Sequence, residues 1–146
     1  MDLLTSLKIS SSGLTANKKR MAAISSNIAN AQTTRTAEGG AYKPKEVVFG
    51  SEPAKESFSE ILSGEMEENA QTVIAKEVTN SKKPPVLKYE PNHPDANAEG
   101  YVAYPNINTM EEMANMIEAS RAYEANINAM NTAKSMAMKD LEIGKN

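Results

Sequence analysis

The chain has 146 residues, 40% of them apolar but only 5% aromatic, with no Trp, two Phe and nine Met. Its net charge of −3 includes no strongly basic stretch, which argues against nucleic-acid binding, and the absence of Cys excludes disulfide and thiol chemistry. The length suits one domain, or one small domain with an extended part, and the shortage of rings argues against an ordinary globular core.

Residues 3–31 carry the first periodic stretch. Leu3, Leu7, Ser10, Leu14, Asn17, Met21, Ile24, Ile28 and Ala31 follow one another in steps of three and four, the pattern of a coiled-coil seam on a helix. Asn17 is a polar residue in that seam, a substitution that costs stability but can fix register. Gly13 weakens the helix locally by about 1 kcal/mol relative to Ala. Asn30 is placed to close the helix in a left-handed conformation.

The composition then shifts to Thr, Ala, Glu and Gly over 33–40, which predicts a loop. A strand is expected at 42–49, kept at a sheet edge by Pro44. Residues 51–69 are acidic and polar; Phe58, Ile61, Leu62 and Met66 offer a short helix, opposed by Gly64 and the charge load. Further strands are expected at 72–79, 86–89 and 101–104, the last two joined by a stretch of turn formers around His93.

The last element is the longest. From Met110 to Ile143 the apolar residues Met113, Ile117, Tyr123, Ile127, Met130, Ala137 and Leu141 recur at helical spacing, with one slip near Ser120. Thr109 and Glu112 fit a capping box at its start, and Gly144 fits its end. At 1.5 Å per residue this helix runs roughly 50 Å, too long for the core of so small a domain. Part of its apolar face must find cover on another helix or another molecule. Six of the nine Met lie after residue 109, and Met adapts to seams with several neighbours.

The expected class is therefore α+β: terminal helices at 1–34 and 109–146 pairing as a coiled coil, with a β-rich module, 35–108, inserted between them. The helical ends differ in charge, +3 over residues 1–34 against −2 over 109–146, which favours their pairing weakly.

Catalytic chemistry is not signalled. His93 is the only His, with no Cys or second His to complete a metal site, and its turn context points to loop packing or solvent exposure. Asp95, Asn97 and Glu99 alternate as calcium ligands do, but the twelve-position loop with its closing Glu is absent, so turn chemistry is the reading. The phosphate-cradling, dinucleotide, nucleophile-elbow and zinc-protease motifs are all missing. No enzyme activity, cofactor, metal or small-molecule substrate is expected. No apolar run approaches the roughly 18 residues that span a bilayer, and no cleavable signal peptide is expected at the N-terminus.

Three segments carry a resemblance. SGLTANKKRMAAISSNIAN, residues 12–30, resembles the N-terminal motif of the flagellar axial proteins of rod and hook. EMANMIEASRAYEAN, residues 112–126, resembles their C-terminal motif, and YEPNHPDANAEGYVAYPN, residues 89–106, resembles the proximal-rod branch of that family. The resemblance implies terminal helices that line the inner tube of a helical assembly and a β-rich outer layer. It also implies type III export without a cleaved leader, and a place in the basal-body rod among other rod proteins and copies of the chain, with membrane-ring and export components nearby. The expected assembly residues are Leu3, Leu7, Leu14, Asn17, Met21, Ile24, Asn27, Ile28 and Asn30 on the first helix. On the last they are Met113, Met116, Ile117, Arg121, Tyr123, Ile127 and Met130. The competing expectation is a soluble helical adaptor that docks in one partner's groove.

Overall fold

The computed structural model describes residues 3–53, 71–79 and 83–143. Helix α1 spans Leu3–Ala29 and helix α2 spans Thr109–Ile143. Between them lie β1 (Lys45–Pro53), β2 (Gln71–Thr79), β3 (Val86–Tyr89) and β4 (Tyr101–Tyr104). This is the expected α+β class. Most of the acidic 51–69 stretch and Gly144 lie outside the described residues.

The strands form two two-stranded sheets, β1 with β2 and β3 with β4. In the first, Thr72 reaches the Glu52 carbonyl while Lys45 pairs with Glu77, so the strands run antiparallel. In the second the register runs from Val86 opposite Tyr104 to Tyr89 opposite Tyr101. Alternation along this hairpin turns Val102, fully buried, to the inside and leaves Leu87, Tyr89 and Tyr101 exposed on the other face.

The chain divides into two compact units: residues 1–18, 49–76 and 120–146, and residues 19–48 and 77–119. Both long helices contribute to both units. In the second unit the core gathers Ala23, Ile24, Val102 and Ala119 with Pro44 and Pro105. In the first, Ala16 and Ala75 are buried with Thr5.

Four local expectations are corrected. The strand expected at 42–49 begins at Lys45 and runs on to Pro53. Tyr42 belongs instead to the loop: its N–H bonds the Thr33 carbonyl, and its hydroxyl bonds α1. Helix α1 ends at Ala29, and Asn30 is not left-handed, since positive φ occurs only at glycines among the described residues. The Asn30 amide donates back to the Ser26 carbonyl and caps the last turn that way. The capping residue of α2 is Asn108, not Thr109. Its side-chain oxygen accepts the Met110 N–H at 3.1 Å, and Asn is among the strongest N-cap residues. Glu112 closes no capping box because its carboxylate turns toward α1.

Candidate assembly interface

Asn27 is the most constrained polar side chain in the second unit. It is 2% exposed, and its amide is used on both sides. Nδ2 donates to the Lys45 carbonyl at 2.8 Å and to the Glu112 carboxylate at 3.3 Å. Oδ1 accepts the Lys45 N–H at 2.8 Å and the Tyr42 hydroxyl at 3.2 Å. Tyr42 has one hydroxyl hydrogen; with it given to Asn27, Ser26 supplies the hydrogen of the 2.9 Å Ser26–Tyr42 bond. One side chain thus ties α1 to the start of β1 and to the first turn of α2. Every donor and acceptor it holds is satisfied, the condition under which a buried amide adds rigidity rather than strain.

The helix contact in the same unit is made by small residues. Ala23 and Ala119 are buried, with Ile24 beside them. Arg20 pairs with Glu118 at 3.5 Å while Asn27 meets Glu112, so residue numbers fall on α2 as they rise on α1, and the helices run antiparallel. Arg20, Ala23, Ile24, Lys45, Glu46, Val47, Glu112 and Asn115 border a small cleft of about 210 Å³. Lys45 is held charged by its hydrogen bond and ion pair with Glu77 at 2.7 Å, which raise its pKa.

In the first unit the helices approach closely at Gly13. A Cβ there would lie 3.2 Å from the Asn126 amide nitrogen, so the glycine serves close contact between helices. Ser12 accepts the Val73 N–H at 3.0 Å and fastens β2 to α1. Asn17 donates to the Gly13 carbonyl of its own helix, so its side chain is engaged within α1.

The turn between β3 and β4 is fastened to the loop after α1. Asp95 accepts from the Thr34 hydroxyl at 2.8 Å and lies 3.7 Å from Arg35. His93 Nδ1 accepts the Asp95 N–H, and Asn97 Oδ1 accepts the Glu99 and Tyr101 N–H groups. This is loop packing and turn chemistry, and no cluster fit to hold a metal ion occurs among the described residues. Tyr104 donates to Glu90 at 2.9 Å, a bond that raises its pKa together with partial burial and the carboxylate charge.

Of the residues expected to mediate assembly, Ile24 and Asn27 are buried within the chain. Leu7, Leu14, Asn17, Met21, Ile28, Asn30, Met116, Tyr123, Ile127 and Met130 are half-buried, and the Leu3 side chain lies outside the described residues. Arg121 is exposed, as are Met113 and Ile117 at 54% and 57%. The tightest inward positions of α1 are Ala16, Ala23 and Asn27. They stand one residue before Asn17, Ile24 and Ile28 in the expected seam, a rotation of about 100° around the helix. On α2 the fully buried Ala119 stands one residue before the slip at Ser120. The missed residues Ala16, Ala23 and Ala119 had one signal, the heptad spacing of the first two.

The family described as "Flagella basal body rod protein" matches residues 7–35, most of α1 and the following loop. The family described as "Flagellar basal body rod FlgEFG protein C-terminal" matches residues 98–143, which hold β4 and α2. The chain is 43% identical to the flagellar basal-body rod protein FlgC of Bacillus subtilis (strain 168), over 99% of the chain and 100% of the relative. It is 40% identical to FlgC of Borreliella burgdorferi, over 98% of each. With FlgC of Salmonella typhimurium the identity is 39%, over 99% of the chain and 100% of the relative.

Proposed function

The chain belongs to the flagellar basal-body rod protein FlgC family, and from that membership we propose that it builds the proximal rod by polymerising through its terminal helices. It is a structural subunit and not an enzyme. Residues 1–34 and 109–146 form the inner, helical part of the rod, and residues 35–108 an outer module. Its partners are other rod proteins and copies of itself. It leaves the cytoplasm through the type III export channel without a cleaved leader and works in the periplasmic part of the basal body, passing torque from the membrane ring to the hook. Within the subunit, Ile24 and Asn27 hold the helices in place, while Met113, Ile117 and Arg121 face the neighbours.

The observation that carries this reading is the two-sided character of α2. One of its faces packs within the chain through Met116 and Ala119, and another exposes Met110, Met113 and Ile117. Three large apolar side chains one turn apart are a surface that marks a contact with another molecule. Cryo-electron microscopy of basal bodies purified from cells carrying this chain tests it. The expected result is density for both helices in the inner wall of the proximal rod. Complete rods lacking the chain, in motile cells, would overturn it.

A further inference from the structure

In the unit formed by residues 19–48 and 77–119, each helix turns a second face away from their shared seam. On α2 that face carries Met110, Met113 and Ile117, 76%, 54% and 57% exposed, spaced by three and four residues. On α1 it carries Ala22, Ser25 and Ala29, all exposed and likewise spaced by three and four. One face is a row of large, flexible apolar knobs. The other is a row of small residues whose gaps a helix can approach closely. Equal spacing lets knobs of one helix enter holes of another.

Charge follows the same division. Over residues 19–29 α1 carries Lys19 and Arg20 and no acid, while over 109–119 α2 carries Glu111, Glu112 and Glu118 and no base. Glu111 and Glu118 are exposed beside the knobs, and Lys19 is exposed one turn before Ala22. Opposite potentials steer two such surfaces together and set their orientation. Glu118 also pairs with Arg20 inside the chain, so the acidic face is continued outward chiefly by Glu111.

We propose that the Met110–Met113–Ile117 face of α2 seats on the Ala22–Ser25–Ala29 face of α1 in a second copy of this chain. The proposal deepens the rod-subunit reading and rests on it for the occupant. Both faces lie opposite the helix seam, one on each helix, so they look out from opposite sides of the unit. A copy docked on one side leaves the complementary face open on the other. Such a contact is heterologous: it adds subunits in one direction and does not close a dimer.

The absence of native Cys makes disulfide trapping clean. The full chain carrying Ser25→Cys and Met113→Cys is oxidised in two preparations, the concentrated purified protein and basal bodies from cells that express it. The expected result on a non-reducing gel is a ladder of dimers, trimers and longer species, while each single variant, with no thiol across the contact, stays monomeric. Ala22→Cys with Ile117→Cys is the second pair, used if the first fails to fold. A double variant that stops at dimers, that bonds only to a different basal-body protein, or that gives no product in either preparation overturns the proposal. Motile cells whose basal bodies contain the substituted chain without a ladder would refute this docking and leave the rod reading intact. A ladder from the purified chain, with basal bodies that lack it, would do the reverse.

Discussion

In residues 19–48 and 77–119, α1 meets α2 through Ala23, Ile24 and Ala119, and Asn27 adds a saturated set of hydrogen bonds to both α2 and β1. In the other unit, the described residues of α2 from 134 to 142 are exposed at every position except Ala137, and Leu141 is 72% exposed. Helix α2 is thus covered over one stretch and nearly bare over another. Small residues and one buried amide make the covered stretch. Met136, Met138 and Leu141, large and apolar, stand uncovered in the bare one. Helical segments without tertiary cover are marginal in water. The covered stretch therefore acts as the scaffold of the subunit, and the distal turns of α2 depend on contacts outside it.

The largest expected effect comes from breaking the covered stretch at its apolar centre. Ile24→Asp removes a buried aliphatic side chain and puts a carboxylate in its place, at a cost of about 4 kcal/mol in unfolding free energy. Arg20 and Lys45 border the same cleft and offset part of the charge penalty. Urea denaturation reads the change, and in cells the variant should leave a deletion strain without hooks. A loss under about 1 kcal/mol would mean that Ile24 does not sit in the packing surface.

Asn27→Ala is next, at about 3 kcal/mol, because it takes the partner from the Lys45 N–H and carbonyl and from the Glu112 carboxylate in one place. Tyr42→Phe removes one bond of that set and should cost about 1 kcal/mol. Equal losses in the two variants would show that the amide is no hub.

The two stretches also differ in how readable they were. Helix positions and the α+β class followed from hydrophobic spacing, which depends only on sequence-local periodicity. The rotation of the seam did not. Ala16, Ala23 and Ala119 carry little hydropathy, yet they permit the close backbone approach that places them innermost, and the larger Leu14, Met21 and Ile28 flank them half-covered. Asn27 was legible through the family motif, but its role was not. Its partners Tyr42 and Lys45 lie 15 and 18 residues further along the chain, beyond a loop whose path no periodicity encodes. The cap at Asn108 in place of Thr109 is the ordinary one-residue ambiguity of helix ends.

A smaller effect should follow in the bare stretch. Leu141→Ala and Met138→Ala should change the stability of the free chain by less than about 0.5 kcal/mol, as exposed substitutions do. Amide exchange should sharpen the contrast, with protection around residues 116–123 and fast exchange from 134 onward. Uniform protection along α2 in a verified monomer would erase the distinction between the two stretches.

The smallest effect concerns the exposed polar ties around the covered stretch, and it is a matter of pH. Lys45 has its pKa raised by the hydrogen bond and charge of Glu77, and Tyr104 has its pKa raised by the hydrogen bond to Glu90. In both, the folded chain holds the proton more tightly than the unfolded one. Their contribution is therefore fully present below the unfolded pKa values, about 10 for Tyr and about 10.4 for Lys, and is lost as pH rises through the folded values. Stability should fall on the alkaline side, with no counterpart from these two groups between pH 6 and about 9. Both groups keep partial access to solvent, so the change in urea midpoint should be small and should shrink further in salt. Glu77→Gln removes the charge that holds the Lys45 proton, and Tyr104→Phe removes the phenol. Together they should flatten the alkaline limb while leaving the neutral midpoint nearly unchanged. If the limb keeps its slope in the double variant, the alkaline loss arises from other groups than these two ties.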